Sequence, residues 1–337
     1  MELYSGLDLH SRNTYIGILD KYFNRVFKKR VSNNLHLILE ILEPFKDQFK
    51  GLVVESTFNW YWLVDGLMDA GYDCVHLANP SAIKQYEGLK HSDDQHDAFF
   101  LAQLLILGIL PQGYIYPKED RPVRDLARKR MLLVKHKTAH ILSVQSLIAR
   151  CCAQRMSKHQ IRQLTVADLR QLLKEEYLLL SAQASLNMID FLIQQIKALE
   201  KAIKKKVKLD KAFEQLMTVP GIGFILAMTI MLEVGDISRF AKVGNFASYC
   251  RCVSSQRLSA GKAKGSGNRK NGNRYLSWAF AEAAQLGRRY SQRFGRYYDR
   301  KAAQTNTIVA TKALSNKLAR ICYYIMRDQV PFRKELF

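Results

Sequence analysis

The sequence predicts a mixed α/β domain followed by a largely helical remainder, and three observations carry that reading. Three consecutive strand-like runs open the chain. Short apolar strands then alternate with helical patterns as far as Leu107. From Arg121 onward the pattern is helical and strongly basic. A length of 337 residues accommodates two domains and an added helical element, and a hydrophobic content of 48% supplies their cores.

The opening runs are Leu3 to Leu7, Tyr15 to Leu19 and Asn24 to Val31, rich in β-branched and aromatic residues and broken by His10-Ser11-Arg12-Asn13 and Asp20-Lys21. A helical pattern covers Asn34 to Phe45. Gly51 to Glu55 is a short apolar run typical of a buried strand, Asn59 to Ala70 is a helix stopped by Gly71, and Tyr72 to Leu77 is a further strand. After the Asn79-Pro80 turn, Asp97 to Leu107 is an apolar helix. The order βββαβαβα is that of an RNase H-like domain, placed at residues 1–120.

Residues 121 to 158 hold ten Lys or Arg against one acid, Asp125, and include Arg128, Lys129 and Arg130. Leu164 to Val207 continues as one long helical segment with near-heptad apolar positions such as Leu179, Leu186, Ile189 and Ile193. The two predict a coiled-coil or helical-hairpin linker over 121–210. A third, mainly helical region, 211–337, contains a stretch from Ile237 to Ala281 with nine Lys or Arg and no acid. Gly261, Gly265, Gly267 and Gly272 predict a flexible loop within it, and helices follow from Tyr275.

The formal net charge of +22 exceeds what solubility requires and points to a polyanionic partner. An acidic membrane surface competes with nucleic acid for that role. The opening MELYSGLDLH lacks the basic and apolar regions of a signal peptide, and the longest apolar stretch, Ala98 to Leu110, is interrupted by Gln103 and too short for a bilayer. The expectation is a soluble, cytoplasmic protein with a nucleic-acid partner and no membrane. The six cysteines show no paired CxxC spacing, so reduced structural thiols are expected. His136 and His140 share a helical face but lack the Glu of a metalloprotease motif.

Three constellations could carry chemistry. Asp8 and Glu55 end predicted strands, and Asp94 and Asp97 share the first turn of a predicted helix, with Asp93 as competitor for Asp94. Four such acids can hold one or two Mg²⁺ ions, which take oxygen ligands and clamp the oxygens of a phosphodiester. Taken singly, each acid is equally a turn, a cap or a satisfied buried group. Val219-Pro220-Gly221-Ile222-Gly223 ahead of an apolar helix is the hairpin of a helix-hairpin-helix element, with Gly221 and Gly223 bringing backbone amides to a DNA phosphate. Its bland alternative is a simple interhelical turn. Gly267 and Gly272 have Walker spacing, but Asn273-Arg274 replaces the required Lys-Ser/Thr. Ser259, in Leu258-Ser259-Ala260-Gly261-Lys262, sits in a basic glycine loop. Chemistry alone does not separate it from Ser254, Ser255 and Ser266. Arg257, Lys262, Lys264, Arg269, Lys270 and Arg274 are the neighbouring nucleic-acid-binding candidates.

The whole chain resembles the DEDD transposases of bacterial insertion sequences, the group described as bridge-RNA-guided recombinases. The N-terminal resemblance rests on Gly6-Leu7-Asp8, Val54-Glu55-Ser56, Ala78-Asn79-Pro80 and Ser92 to Ala98. The C-terminal one rests on Val219 to Gly223, Gly235-Asp236 through Arg239-Phe240, Ser259 to Lys262, Lys270 to Asn273, and Glu282-Ala283-Ala284. His91 and Arg251-Cys252 depart from the usual pattern. The resemblance implies a RuvC-like N-terminal domain, a coiled-coil linker and a C-terminal transposase domain. It implies Asp8, Glu55, Asp94 and Asp97 as a tetrad for Mg²⁺, with Mn²⁺ as the alternative ion, and Ser259 as a nucleophile forming a phosphoserine link to DNA. It further implies double-stranded donor and target DNA, a structured noncoding guide RNA, and homodimers pairing into tetramers in which the acids of one chain meet the serine of another. Two other functions suit the same residues: a junction-resolving endonuclease that hydrolyses DNA without the serine, and a non-catalytic RNA- or DNA-binding protein.

Overall fold

The computed structural model describes residues 1–83, 86, 94–206, 211–253, 256–266 and 271–333. The chain divides into two units, Met1–Lys118 and Glu119–Phe337.

The first unit is built on a five-stranded mixed sheet. Strands β1 (Leu3–Leu9), β2 (Asn13–Asp20) and β3 (Arg25–Ser32) form an antiparallel meander. After helix α1 (Leu35–Leu42) and a 3₁₀ turn (Glu43–Gln48), β4 (Phe49–Glu55) returns parallel to β1. Helix α2 (Tyr61–Asp69) leads to β5 (Val75–Ala78), parallel to β4. The short α3 (Pro80–Ile83) and then α4 (Asp94–Ile106) complete the unit. The strand order β3-β2-β1-β4-β5 is consistent with an RNase H-like domain.

Alternation along the strands decides which face each helix covers. Leu7, Leu9, Leu52 and Val54 point to one face, where Ile38 and Leu42 of α1 and Leu63 and Leu67 of α2 form the core. Val53 points to the other, against Leu101 and Leu104 of α4. Each fully buried Leu or Val contributes about 1.5–3 kcal/mol. Helix α1 stops three residues before the expected Phe45 because Pro44 has no N–H to continue the ladder and the chain tightens into the 3₁₀ turn. The fifth strand starts at Val75 rather than Tyr72, whose ring is buried and lies 6.3 Å from that of Phe49.

In the second unit, α5 (Arg121–Cys152) and α8 (Glu176–Lys206) pack antiparallel, as the pairing of Arg130 with Glu200 and the shared core of Val144, Ile148, Ala182 and Ile189 require. The expected continuous helix over 164–207 is interrupted at residues 173–175, between α7 (Val166–Leu172) and α8, and a separate α6 (Lys158–Gln163) precedes it. Helices α6 and α7 each start on their own capping box, Ser157 with Gln160 and Thr165 with Asp168. Then follow α9 (Lys211–Met217), α10 (Phe224–Val234), a 3₁₀ turn (Ile237–Arg239) and α11 (Val243–Tyr249). In place of the expected loop, β6 (Gln256–Ser259) and β7 (Lys262–Ser266) form an antiparallel hairpin. Helices α12 (Arg274–Tyr290), α13 (Gln292–Gln304) and α14 (Thr307–Asp328) close the unit over a core that includes Phe246, Phe280, Phe294 and Leu318. Among the described residues, no helix is long and apolar enough to cross a membrane.

Candidate functional site

Asp8 and Glu55 meet because of strand register. Leu7 pairs with Val54 across the parallel β1–β4 ladder, so the next residues, Asp8 and Glu55, stand side by side at the carboxyl ends of their strands. Asp8 lies two residues beyond Gly6 and Glu55 two beyond Val53, so both acids project from the face that α4 covers. Helix α4 sits close there because Gly6, paired with Gly17, presents no side chain. A Cβ on Gly6 would run into the backbone carbonyl of Ala98. That seating brings the first turn of α4, and Asp97 with it, over the strand ends.

The result is a concentrated acidic site. Asp8 is 2% exposed. Burial, a hydrogen bond with Asp8, and the charges of Asp8 and then Asp97 push the Glu55 carboxyl up to about 7, while His10 pulls it the other way. His10 Nε2 stands 3.1 Å from Asp8 Oδ2. A carboxyl group raised by neighbouring carboxylates belongs to a donor set that a hard divalent cation would stabilise. Among the described residues, no three His, Cys, Asp or Glu side chains are drawn together tightly enough to hold an ion as they stand. The side chain of Asp94, which begins α4, lies outside the described residues, as does Asp93.

Ser259 is the last residue of β6 and is exposed. A two-residue turn, Ala260 and Gly261 at φ 50° and 73°, joins it to Lys262. These values fit a primed hairpin turn, whose twist matches that of the flanking strands. Described residues on either side of the hairpin are tied to one another and to α14. Arg251 Nε donates to the Gly272 carbonyl at 2.9 Å, and the Asn273 amide donates to the Tyr249 carbonyl at 2.6 Å. From α14, Lys312 Nζ donates to the Arg251 carbonyl and Asn316 Nδ2 to that of Cys252.

The basic candidates separate into two groups. Lys129, Lys262, Lys264 and Arg274 are exposed. Arg128 and Arg130 are engaged within the unit. Arg128 donates through Nε and Nη2 to both oxygens of Glu233 at 2.6 and 2.7 Å and lies over the Tyr275 ring at 4.6 Å. Arg130 donates to Glu200 at 2.7 Å. Burial lowers the Arg128 pKa, but Glu233 more than offsets it and holds the guanidinium above its usual range. The side chain of Arg257, and Arg269 and Lys270 altogether, lie outside the described residues, as do Ser254 and Ser255.

Gly221 and Gly223 also part company. Gly221 adopts φ +92° and faces α12, where a Cβ would strike the backbone of Gly287 and Ala283. Gly223 is exposed as the N-cap of α10, with open space around it.

Sequence reasoning gave His10, Glu233 and Asn273 no place among the site residues. Glu233 lies within the apolar run of α10 and is buried, a signal that a partner had to exist. Asn273 is that second partner. Its Nδ2 donates to Glu233 Oε2 at 2.7 Å, while its Oδ1 caps α12 through the amides of Tyr275 and Leu276.

Comparison with known proteins bears on both units. A family model for DEDD transposases, described as Transposase, matches residues 5–153, and one described as Transposase IS116/IS110/IS902 family matches residues 213–299. The chain is 28% identical over 151 residues to the transposase for insertion sequence element IS1328 of Yersinia enterocolitica, a match spanning 43% of this chain and 44% of that protein. It is 23% identical over 282 residues to the transposase for insertion sequence element IS1111A of Coxiella burnetii, covering 77% of this chain and 73% of that one. With its sheet order, its strand-end acids and these matches along both units, the chain belongs to the DEDD transposases of insertion sequences.

Proposed function

We propose that the protein cuts and rejoins the DNA of an insertion sequence, using Asp8, Glu55, Asp94 and Asp97 as a Mg²⁺-binding tetrad and Ser259 as the nucleophile. The observation that carries this reading is the convergence of Asp8, Glu55 and Asp97 at the ends of β1, β4 and the start of α4. Residues 1–120 then serve as a RuvC-like catalytic domain, 121–210 as a coiled-coil linker, and 211–337 as the transposase domain with its helix-hairpin-helix element.

Bound Mg²⁺, or Mn²⁺ in its place, supplies positive charge that stabilises the crowded oxygens around the reacting phosphorus. Ser259 Oγ forms a bond to phosphorus as the bond from phosphorus to one sugar oxygen breaks. The hydroxyl proton leaves Oγ, and the departing sugar oxygen takes one up. The phosphoserine ester conserves the bond, so a hydroxyl from another strand displaces Oγ without ATP. An exposed position at the tip of a hairpin suits a nucleophile that must reach a duplex backbone. The net charge of +22 suits double-stranded donor and target DNA together with a structured guide RNA, which reads sequence by base pairing while the protein holds backbone. Homodimers pairing into tetramers complete the reading.

The test mixes the protein with Mg²⁺, labelled donor and target DNA and RNA transcribed from the flanking region. A protein–DNA adduct that survives denaturation, and is lost in both Ser259→Ala and Asp8→Ala, is the expected result. Cleavage without an adduct, unchanged in Ser259→Ala, overturns the serine mechanism in favour of hydrolysis by the acids.

A further inference from the structure

The first unit is acidic, although the whole chain carries a net charge of +22. Residues 1–118 hold eleven Lys or Arg against fourteen Asp or Glu. Five of those eleven cations fall in one ten-residue run, Lys21 to Arg30, which contains no acid. The run is the β2–β3 turn and the edge strand β3. Lys21, Arg25, Lys28, Lys29 and Arg30 are all exposed. Arg25 lies opposite Leu19, Lys28 opposite Gly17 and Arg30 opposite Tyr15, so these three share the sheet face on which α4 packs.

Edge strands carry charge to deter pairing with another sheet, and that accounts for β3 taken alone. It does not account for the turn. Tyr22 and Phe23 stand at its tip, 72% and 41% exposed. Phe23 has φ +67°, a left-handed backbone that glycine or asparagine adopts cheaply and a bulky residue adopts under strain. Asp20 holds the turn in that shape. Its carboxylate accepts from the amides of Tyr22 at 2.8 Å and Asn24 at 2.9 Å and from Asn24 Nδ2 at 2.9 Å. Its carbonyl accepts from the Phe23 amide at 3.1 Å. Lys21 Nζ lies 5.4 Å from the centre of the Tyr22 ring. The chain thus keeps two aromatic rings in water, one of them on a strained backbone, at a turn whose shape is fixed from within. Strain of that kind persists where a site needs the side chain.

We propose that the β2–β3 turn and edge strand bind an unpaired nucleic-acid strand, with Tyr22 and Phe23 stacking on bases and Arg25, Lys28 and Arg30 meeting the phosphates beside them. Every base has a π-face, so an exposed ring takes any unpaired one, whereas the bases of a duplex are stacked on each other already. Cations spaced along a strand suit a polyanion. Tyr15, opposite Arg30, also lies opposite Asp8, so a bound strand followed along β3 away from the turn runs towards the end of the sheet that carries Asp8. A displaced DNA strand and an RNA loop offer the same chemistry. The surface goes beyond the cutting reaction, because it holds a strand whether or not the acids or Ser259 act on it.

The test irradiates the full-length protein with short single strands of DNA or of RNA carrying 5-iodouracil, and maps the adducts by digestion and mass spectrometry. An adduct on the peptide Tyr22-Phe23-Asn24-Arg25 is expected with at least one of the two, and which one names the source. No adduct there with either overturns the inference, as does equal labelling by the same bases held in a duplex. Tyr22→Ala joined to Phe23→Gly is expected to weaken single-strand binding by about ten-fold or more. Its melting temperature should be no lower than that of the wild type, because the left-handed residue is relieved. A lower melting temperature with unchanged affinity makes the rings structural and overturns the inference. Lys28→Gln joined to Arg30→Gln is expected to flatten the slope of log affinity against log salt by about 1.4, and an unchanged slope overturns the part assigned to β3. Unchanged single-strand affinity in both double variants overturns the whole, and loss of binding to phosphatidylserine vesicles in the same variants would assign the surface to a membrane instead.

Discussion

Gly6 of β1 lies directly beneath the backbone carbonyl of Ala98 in α4, with no room for a methyl group between them. Asp97 precedes Ala98, so the depth at which the helix rests on the sheet sets the position of an acid.

Gly6→Ala must therefore lift α4. Overpacking of this kind costs about 1–3 kcal/mol, so the melting temperature falls. Mn²⁺ binding is expected to fall as well, because Asp97 moves away from Asp8 and Glu55. An unchanged affinity in a folded Gly6→Ala variant would show that Asp97 is not a ligand.

Arg128 and Glu233 give a second prediction. Glu233 is 3% exposed and holds both Arg128 and Asn273. Arg128→Ala leaves that carboxylate with one charged partner removed and is expected to cost about 3–5 kcal/mol in urea unfolding. Joint replacement, Arg128→Met with Glu233→Leu, is expected to cost less than the single change. If Arg128 instead serves chiefly as a DNA contact, Arg128→Ala will weaken DNA binding with no loss of stability.

The two hairpin glycines are expected to respond oppositely. Gly221→Ala combines a left-handed backbone with a collision against α12, so it destabilises the unit. Gly223→Ala meets nothing, and costs at most about 1 kcal/mol as an N-cap change. A DNA-affinity loss in Gly223→Ala without a stability loss would mark the start of α10 as a phosphate contact.

Ser259→Ala removes an exposed hydroxyl, so its melting temperature should match that of the wild type while the covalent adduct disappears. A persistent adduct would move the nucleophile to another serine, and mass spectrometry of the adduct peptide would identify it.

The first unit is legible in the sequence because β1, β2 and β4 bury both faces, and Asp8 and Glu55 are conspicuous as acids that end apolar runs. Their meeting depends on parallel register, which no local pattern encodes. The hairpin carrying Ser259 reads as a loop in the sequence because its glycines, lysines and serines show no clear apolar alternation. The breaks before α6 and α7 were written in Ser157 and Thr165 with their partners three residues on, a signal weaker than the helical periodicity around it. Charge counting treated Arg128, Lys129 and Arg130 alike. Only the fold shows that two of them face acids 105 and 70 residues away while the middle one remains exposed.

The sheet and α4 are encoded by Ile106, whereas Ser259 comes more than 150 residues later in the other unit. During synthesis the acids thus emerge long before the serine. A chain truncated between these points would carry the acids without Ser259. On the serine mechanism, such a fragment that folds could occupy nucleic acid but not cut it, and prematurely terminated copies of the element would act as competitors of intact ones.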